Sequence, residues 1–325
     1  MTFDRRSFVR LAAAGLVLGP GAARAQTAGK PRRIGFLSAS VETMEYEEPL
    51  RQLGWIEGKT VVVERRLKPE DDGKVELLPA AAAELVRLKC ELIITDGTDA
   101  ALAAKQSTQS IPIVMAAIGD PVAMGIVTSL AHPGGNITGY SMVSTDLAPK
   151  RAALVHELLP SARRVALIVG TGSGIAPLLR AKAETAYRAL GITPIPVEFD
   201  ASSTDEGVLA RAVDLHVQAV EIAFDGPMEE VGPLMDIALR HRLPVIAGGT
   251  TMLKAGALMS FSNNVGDQGR RVAAQIDKIL RGARAGDLPI EQPTRFEFGI
   301  NLKTAQFLGI AVPQSLLVRA DEVVR

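Results

Sequence analysis

Cysteine is nearly missing from this chain. A single residue, Cys90, stands among 325, so no internal disulfide can form and no cysteine-rich metal site can be built. Its setting in "LVRLKCEL" reads as a small buried hydrophobe. Histidine is almost as scarce. His132, His156, His216 and His241 are scattered without metal-ligand spacing. Aromatic residues make up 4%, too few for base-stacking platforms. Charge of one sign is absent as well, because 36 Lys and Arg balance 36 Asp and Glu. With no basic excess, a nucleic-acid partner is not expected. The Walker A phosphate cradle is missing, and so is the GxSxG nucleophile elbow. No acid, base or nucleophile constellation emerges, so neither a cofactor nor a metal is expected.

No apolar run is long enough to span a bilayer as a helix. The run "LAAAGLVLG" is short, follows Arg5 and Arg6, and precedes "ARA" at Ala23 to Ala25. That pattern predicts a signal peptide over residues 1–25, cleaved after Ala25, and a periplasmic mature protein without a membrane anchor. The paired arginines before Ser7, Phe8 and Val9 are similar to a twin-arginine signal. Asp4 stands where that motif commonly has Ser or Thr, which leaves Sec export as the alternative.

What the chain does have is a repeated grammar of apolar strands and helical stretches. "RIGFLS", "TVVVERR", "ELIIT" and "IPIVMAAI" read as strands, with helices between them and a further helix over "DPVAMGIVTSLA". The grammar restarts with a helix over "LAPKRAALVHELLP" and the strands "RRVALIVG", "ITPIPVEF", "AVEIAF" and "LPVIAGG". Strands this apolar imply parallel sheets covered on both faces. Two runs of four or five strands each predict an α/β fold of two doubly wound, Rossmann-like lobes with a ligand cleft between them. The expected division is lobe 1 over 31–141, lobe 2 over 146–262, and a crossover helix and tail over 263–325 returning onto both lobes. Gly134, Gly135 and Gly139 crowd "LAHPGGNITGYS". This segment follows a helical pattern, so its glycines do not sit where a phosphate loop would; it reads as a crossover between lobes.

In open parallel sheets, ligands sit outside the carboxyl ends of the strands. The loops there are "SAS", "TDGTDA", "AAIGDP", "GTGSG", "FDGP" and "AGGTT", all small, polar or glycine-rich. Backbone N–H groups at helix starts suit a carboxylate or phosphate. Hydroxyls of Ser38, Thr98, Thr171 and Thr250 add donors, and Asp120 and Asp225 can face a ligand cation. For each of these residues the plainer role is a helix cap. "VALIVGTGSGIAPLL" imitates a dinucleotide fingerprint but carries Ile175 in place of its third glycine. A periplasmic NAD(P)-dependent oxidoreductase is therefore an alternative function, and a ligand-sensing subunit of a membrane receptor another.

Four stretches carry a family resemblance: "IPIVMAAIGDPVAMGIVTSLAHPGGNITGYS", "LGWIEGKTVVVERR", "GTDAALAAKQST" and "LPIEQPTRFEFGINLKTAQFLGIAVPQSLLVRADEVVR". They are similar to the ABC transporter substrate-binding proteins of the tryptophan/tyrosine type, over about Arg33 to Val324. The resemblance implies a type I periplasmic binding fold that does no chemistry on its ligand. It implies a small polar ligand, such as an amino acid or related carboxylate, and an ABC permease with its ATPase as partners. Carried over by position, it implies Ser38, Gly97, Thr98, Ala117 and Asp120 lining the first lobe. Thr171, Ser173, Phe224, Asp225, Gly249 and Thr250 would line the second, with Asn264 near the cleft. In the expected division of labour, the Thr98 helix start holds a carboxylate and Asp225 an ammonium, while Phe224 or Tyr140 packs on an apolar side chain. Two stretches depart from the family pattern. Ile34 to Trp55 is several residues shorter than usual, and "SFSNN" over Ser260–Asn264 replaces a glycine-proline variant.

Overall fold

The computed structural model describes residues 30–38, 46–66, 74–170, 173–199, 205–222, 232–264 and 266–325. The expected signal peptide lies outside them. Among the described residues, no helix is long and apolar enough to cross a membrane.

The first half builds β1 (Arg32–Ser38), α1 (Glu47–Gln52), β2 (Val61–Arg66), α2 (Leu78–Arg87), β3 (Leu92–Asp96), α3 (Thr98–Ser107), β4 (Ile113–Ile118) and β5 (Ile137–Ser141). The five strands are parallel and lie in the order β2-β1-β3-β4-β5. The second half builds α4 (Leu147–Leu158), β6 (Arg164–Gly170), α5 (Ala176–Ala189), β7 (Thr193–Phe199), α6 (Asp205–Asp214), β8 (Ala219–Ile222), α7 (Gly232–Arg240), β9 (Val245–Ala247), α8 (Thr250–Ala255) and β10 (Met259–Asn263). It repeats the first lobe's winding, in the order β10-β9-β8-β6-β7. Pro194 and Pro196 fit β7 because it is the edge strand, where missing N–H donors face no neighbour.

The tail serves both lobes. In α9 (Gln268–Leu280), Val272, Ala273, Ile276, Ile279 and Leu280 make one apolar stripe, which is buried on the first sheet beside α1. Trp55 Nε1 donates to Asp277 Oδ1 at 2.8 Å and fixes that contact. The chain then returns to the second sheet as β11 (Phe296–Asn301), α10 (Leu302–Leu308), α11 (Gln314–Arg319) and β12 (Glu322–Val324). β11 runs antiparallel to β10, so the second sheet has seven strands rather than four or five. Each sheet is covered on both faces by separate apolar clusters, as strands this hydrophobic require.

Two expectations are corrected. "DPVAMGIVTSLA" is not a helix. One turn forms, with Met124 N–H on the Asp120 carbonyl at 3.0 Å; Gly125 then turns left-handed at φ 65°. Ile126 and Val127 both donate back to the Pro121 carbonyl, which drives their side chains into the core under α3. Nor is "LAHPGGNITGYS" itself the crossover, because Ile137–Ser141 is strand β5, paired along β4. Gly139 takes φ 144° there, and a Cβ on it would lie 2.1 Å from the Met115 carbonyl oxygen. Only glycine permits this close approach of two strands. The chain leaves the first sheet just afterwards, through Val143 at φ 45°, a conformation β-branched residues avoid.

Candidate functional site

The strand order decides where a ligand crevice can form. In both lobes the winding reverses between the first and third strands, β1 and β3 in one lobe, β6 and β8 in the other. Crevices open outside the carboxyl ends at such switch points.

In the first lobe, Ser38 ends β1 and pairs in register with Asp96 of β3. Gly97, at φ 84°, then turns the chain so that Thr98 starts α3. The Thr98 hydroxyl is buried and accepts the Gly119 N–H at 3.4 Å, stitching the loop after β3 to the loop after β4. Ala117 is half-buried on β4. Asp120 has both oxygens occupied: Oδ1 accepts from Ala123 N–H at 3.0 Å, and Oδ2 accepts from the Thr145 hydroxyl at 2.8 Å. It fastens the β4 loop to the crossover. Tyr140 is 2% exposed and packs in the core with Phe36, Val272 and Ile276, so it does not offer its ring to a ligand.

Opposite, Ser173 follows β6 and is half-buried, and Gly249 and Thr250 form the half-buried start of α8 after β9. Thr171, Phe224 and Asp225 lie outside the described residues. The two edges meet. Gly174 of the second lobe donates its N–H to both oxygens of Asp99, in the first turn of α3, at 3.2 and 3.1 Å. The carboxyl ends of the sheets therefore face one another across a gap narrow enough for a side chain to bridge.

Three chain segments run between the lobes and are tied together. Asn263 donates its side-chain amide to the Met142 carbonyl. Asn264 bonds through its backbone N–H to Arg295 at 3.0 Å, through its amide to Glu297, and accepts from Gly266 N–H at 3.0 Å. Ser141 and Glu291 N–H groups bond to Glu291 and Gly139 carbonyls, both at 2.9 Å. Asn264 thus joins the segments that connect the lobes. Beside it Phe261 and Phe296 stack with centroids 5.9 Å apart, and Lys150 Nζ sits 4.3 Å from the Phe296 ring centre.

Sequence reasoning missed Asp99, and it missed a buried charge network behind the second edge. Arg151 Nε donates to Glu221 Oε1 at 2.8 Å, and the Tyr187 hydroxyl donates to Glu221 Oε2 at 2.5 Å. Burial, reinforced by the Glu221 charge, holds the Tyr187 phenol well above its ordinary range, so it stays a donor. The available signal was a lone carboxylate within the apolar strand "AVEIAF", which a buried position tolerates only when paired. Among the described residues, no cluster of three or more His, Cys, Asp or Glu side chains is arranged to hold a metal.

The sequence model of the family described as "ABC transporter substrate binding protein" matches residues 46–324. A tyrosine-binding protein of Clostridioides difficile (strain R20291) is 27% identical over 249 residues, covering 74% of this chain and 70% of that protein. Among solved structures, a conserved domain protein from Vibrio cholerae is similar at TM-score 0.79 and 22% identity, covering 90% of this chain and all of that one. The ABC domain from Streptococcus pneumonia in complex with L-Trp has TM-score 0.75 and 22% identity, with the same coverage. These structural likenesses concern the fold.

Proposed function

The chain belongs to the ABC transporter substrate-binding protein family, and from that premise we propose that it captures a small solute between its lobes for import. The solute is an amino acid or related small carboxylate, held without chemical change and passed to an ABC permease driven by its ATPase. Export through the segment over residues 1–25 would place this work in the periplasm. One observation carries the reading: the Asp99–Gly174 bridge, which joins the carboxyl edges of two like-wound lobes where the topology opens a crevice. Ligand binding would favour the closed arrangement, and the permease would recognise that state.

Within this reading the first-lobe contacts are Ser38, Gly97, Thr98 and Ala117. Those of the second lobe are Ser173, Gly249 and Thr250, together with Thr171, Phe224 and Asp225. Asp120, Asn264 and Tyr140 act behind them, as loop anchor, hinge and core. The names of the relatives, a tyrosine-binding protein and a domain holding L-Trp, favour aromatic amino acids as first candidates.

A thermal-shift screen of the mature chain against amino acids, small carboxylates, amides and nucleosides tests the proposal. A ligand at 100 times its dissociation constant adds about 2.7 kcal/mol of stability. Mass spectrometry of the recovered ligand should return it unaltered. A panel with no stabilising member, or a ligand recovered in changed form, would overturn the reading.

A further inference from the structure

A buried arginine needs a reason. Arg151 sits on α4 among buried Leu147, Ala148, Ala152 and Val155, and is itself 7% exposed. Glu221, 0% exposed, offsets its charge from a strand buried on both faces. Arg–carboxylate pairs are frequently bidentate, with two parallel N–H donors on two carboxylate oxygens. Here the carboxylate is divided instead: Oε1 takes the Arg151 Nε and Oε2 takes the Tyr187 hydroxyl. Tyr187 occupies Oε2, so the Nη donors of the guanidinium are left without that acceptor.

The remaining edge of the guanidinium is placed toward the crevice. Among the described residues, no acceptor bonds to Nη1 or Nη2. Nη1 lies 3.9 Å from where a Cβ on Gly248 would stand, in the loop at the carboxyl end of β9. Gly248 does not have the left-handed backbone that favours glycine, so it is not glycine for its turn. Its missing side chain leaves the approach to Nη1 from the β9 loop open.

We propose that Arg151 is the carboxylate receptor of the second lobe, with Nε locked by Glu221 and its Nη edge presented to the ligand past Gly248. This rests on the solute-binding reading and deepens it, because it makes a carboxylate the required feature of the ligand. It also moves the carboxylate away from the α3 start to the opposite lobe.

The test compares matched probes by calorimetry: L-tryptophan, L-tyrosine and L-leucine, each against its own amide, with adenosine as an uncharged solute. Wild-type protein should bind at least one acid about thirtyfold or more tighter than its amide. Arg151→Lys should weaken the acid about tenfold and leave the amide within about threefold, so that the preference shrinks. If acid and amide weaken together, the arginine is only structural and the proposal fails. Should Arg151→Lys not fold, Gly248→Val keeps the ion pair and covers Nη1, and it should shrink the same preference; an intact preference overturns the proposal. Equal binding of acid and amide by wild type, or binding of adenosine alone, overturns it while the solute-binding reading stands. If no member of this panel or of the thermal-shift panel binds, both fail.

Discussion

The carboxylate of Asp99 accepts the Gly174 N–H with both its oxygens, 3.2 and 3.1 Å across the gap between lobes. The bond exists only when the lobes are together, so it favours the closed state in proportion to its own strength. Asp99→Ala should weaken ligand binding about fivefold, near 1 kcal/mol for one such bond. Small-angle scattering of the variant at subsaturating ligand should show a larger radius of gyration than wild type.

Gly174 tests the same contact from the other side. A Cβ there would lie 2.6 Å from Asp99 Oδ1, too close for a carbon without a shift of the carboxylate. Gly174→Ala should lower affinity by about as much as Asp99→Ala, because the carboxylate must swing away and give up its bond. In the double variant the second substitution should cost less than it does alone, because the atom it clashes with is gone.

All three tyrosines are buried: Tyr46, Tyr140 and Tyr187. Burial raises each phenol above its ordinary value. The folded protein therefore keeps these protons above pH 10, while the unfolded chain releases them near 10. The stability they contribute is complete below about pH 10 and falls as pH rises beyond it. Absorbance at the tyrosinate band should rise at higher pH in the folded protein than in the unfolded chain, whereas a normal titration near 10 would contradict the burial.

Cys90 lies beneath Gly35 and Leu85, and burial pushes its thiol up to about 11. A thiol reagent at pH 8 should leave the native protein unmodified and react fully once denaturant unfolds it. Rapid labelling of the native state would contradict this packing.

Gly139→Ala should cost more than about 3 kcal/mol, since a Cβ would collide with the backbone of Met115 and the φ of 144° adds strain. Urea unfolding monitored by circular dichroism checks it. A variant as stable as wild type would show that β4 and β5 can move apart.

Much of the architecture was legible because long apolar strands and amphipathic helices declare themselves by period. The α9 stripe from Val272 to Leu280 is an example, since it could not be buried alone and did dock on a sheet. The winding order was not legible, because registers such as Ser38 with Asp96 depend on long-range pairing. Pro121 and Gly125 bound a single turn where composition suggested a helix, and tertiary burial of Ile126 and Val127 settled the outcome. At the edges of the gap, the loops could be located from the strand ends alone. What the side chains do there could not: the two Asp120 bonds, the Asp99 bridge, and the Arg151–Glu221–Tyr187 network join residues 3 to 75 positions apart.

Calorimetric titration of the protein with L-tryptophan and L-tyrosine asks whether two lobes grip one small molecule and leave it intact. The account predicts a saturable heat for at least one of them, at one molecule per chain, that ends at equivalence. A heat flow that continues after saturation would reveal turnover, and a flat trace with both amino acids would contradict the aromatic ligands named above as first candidates.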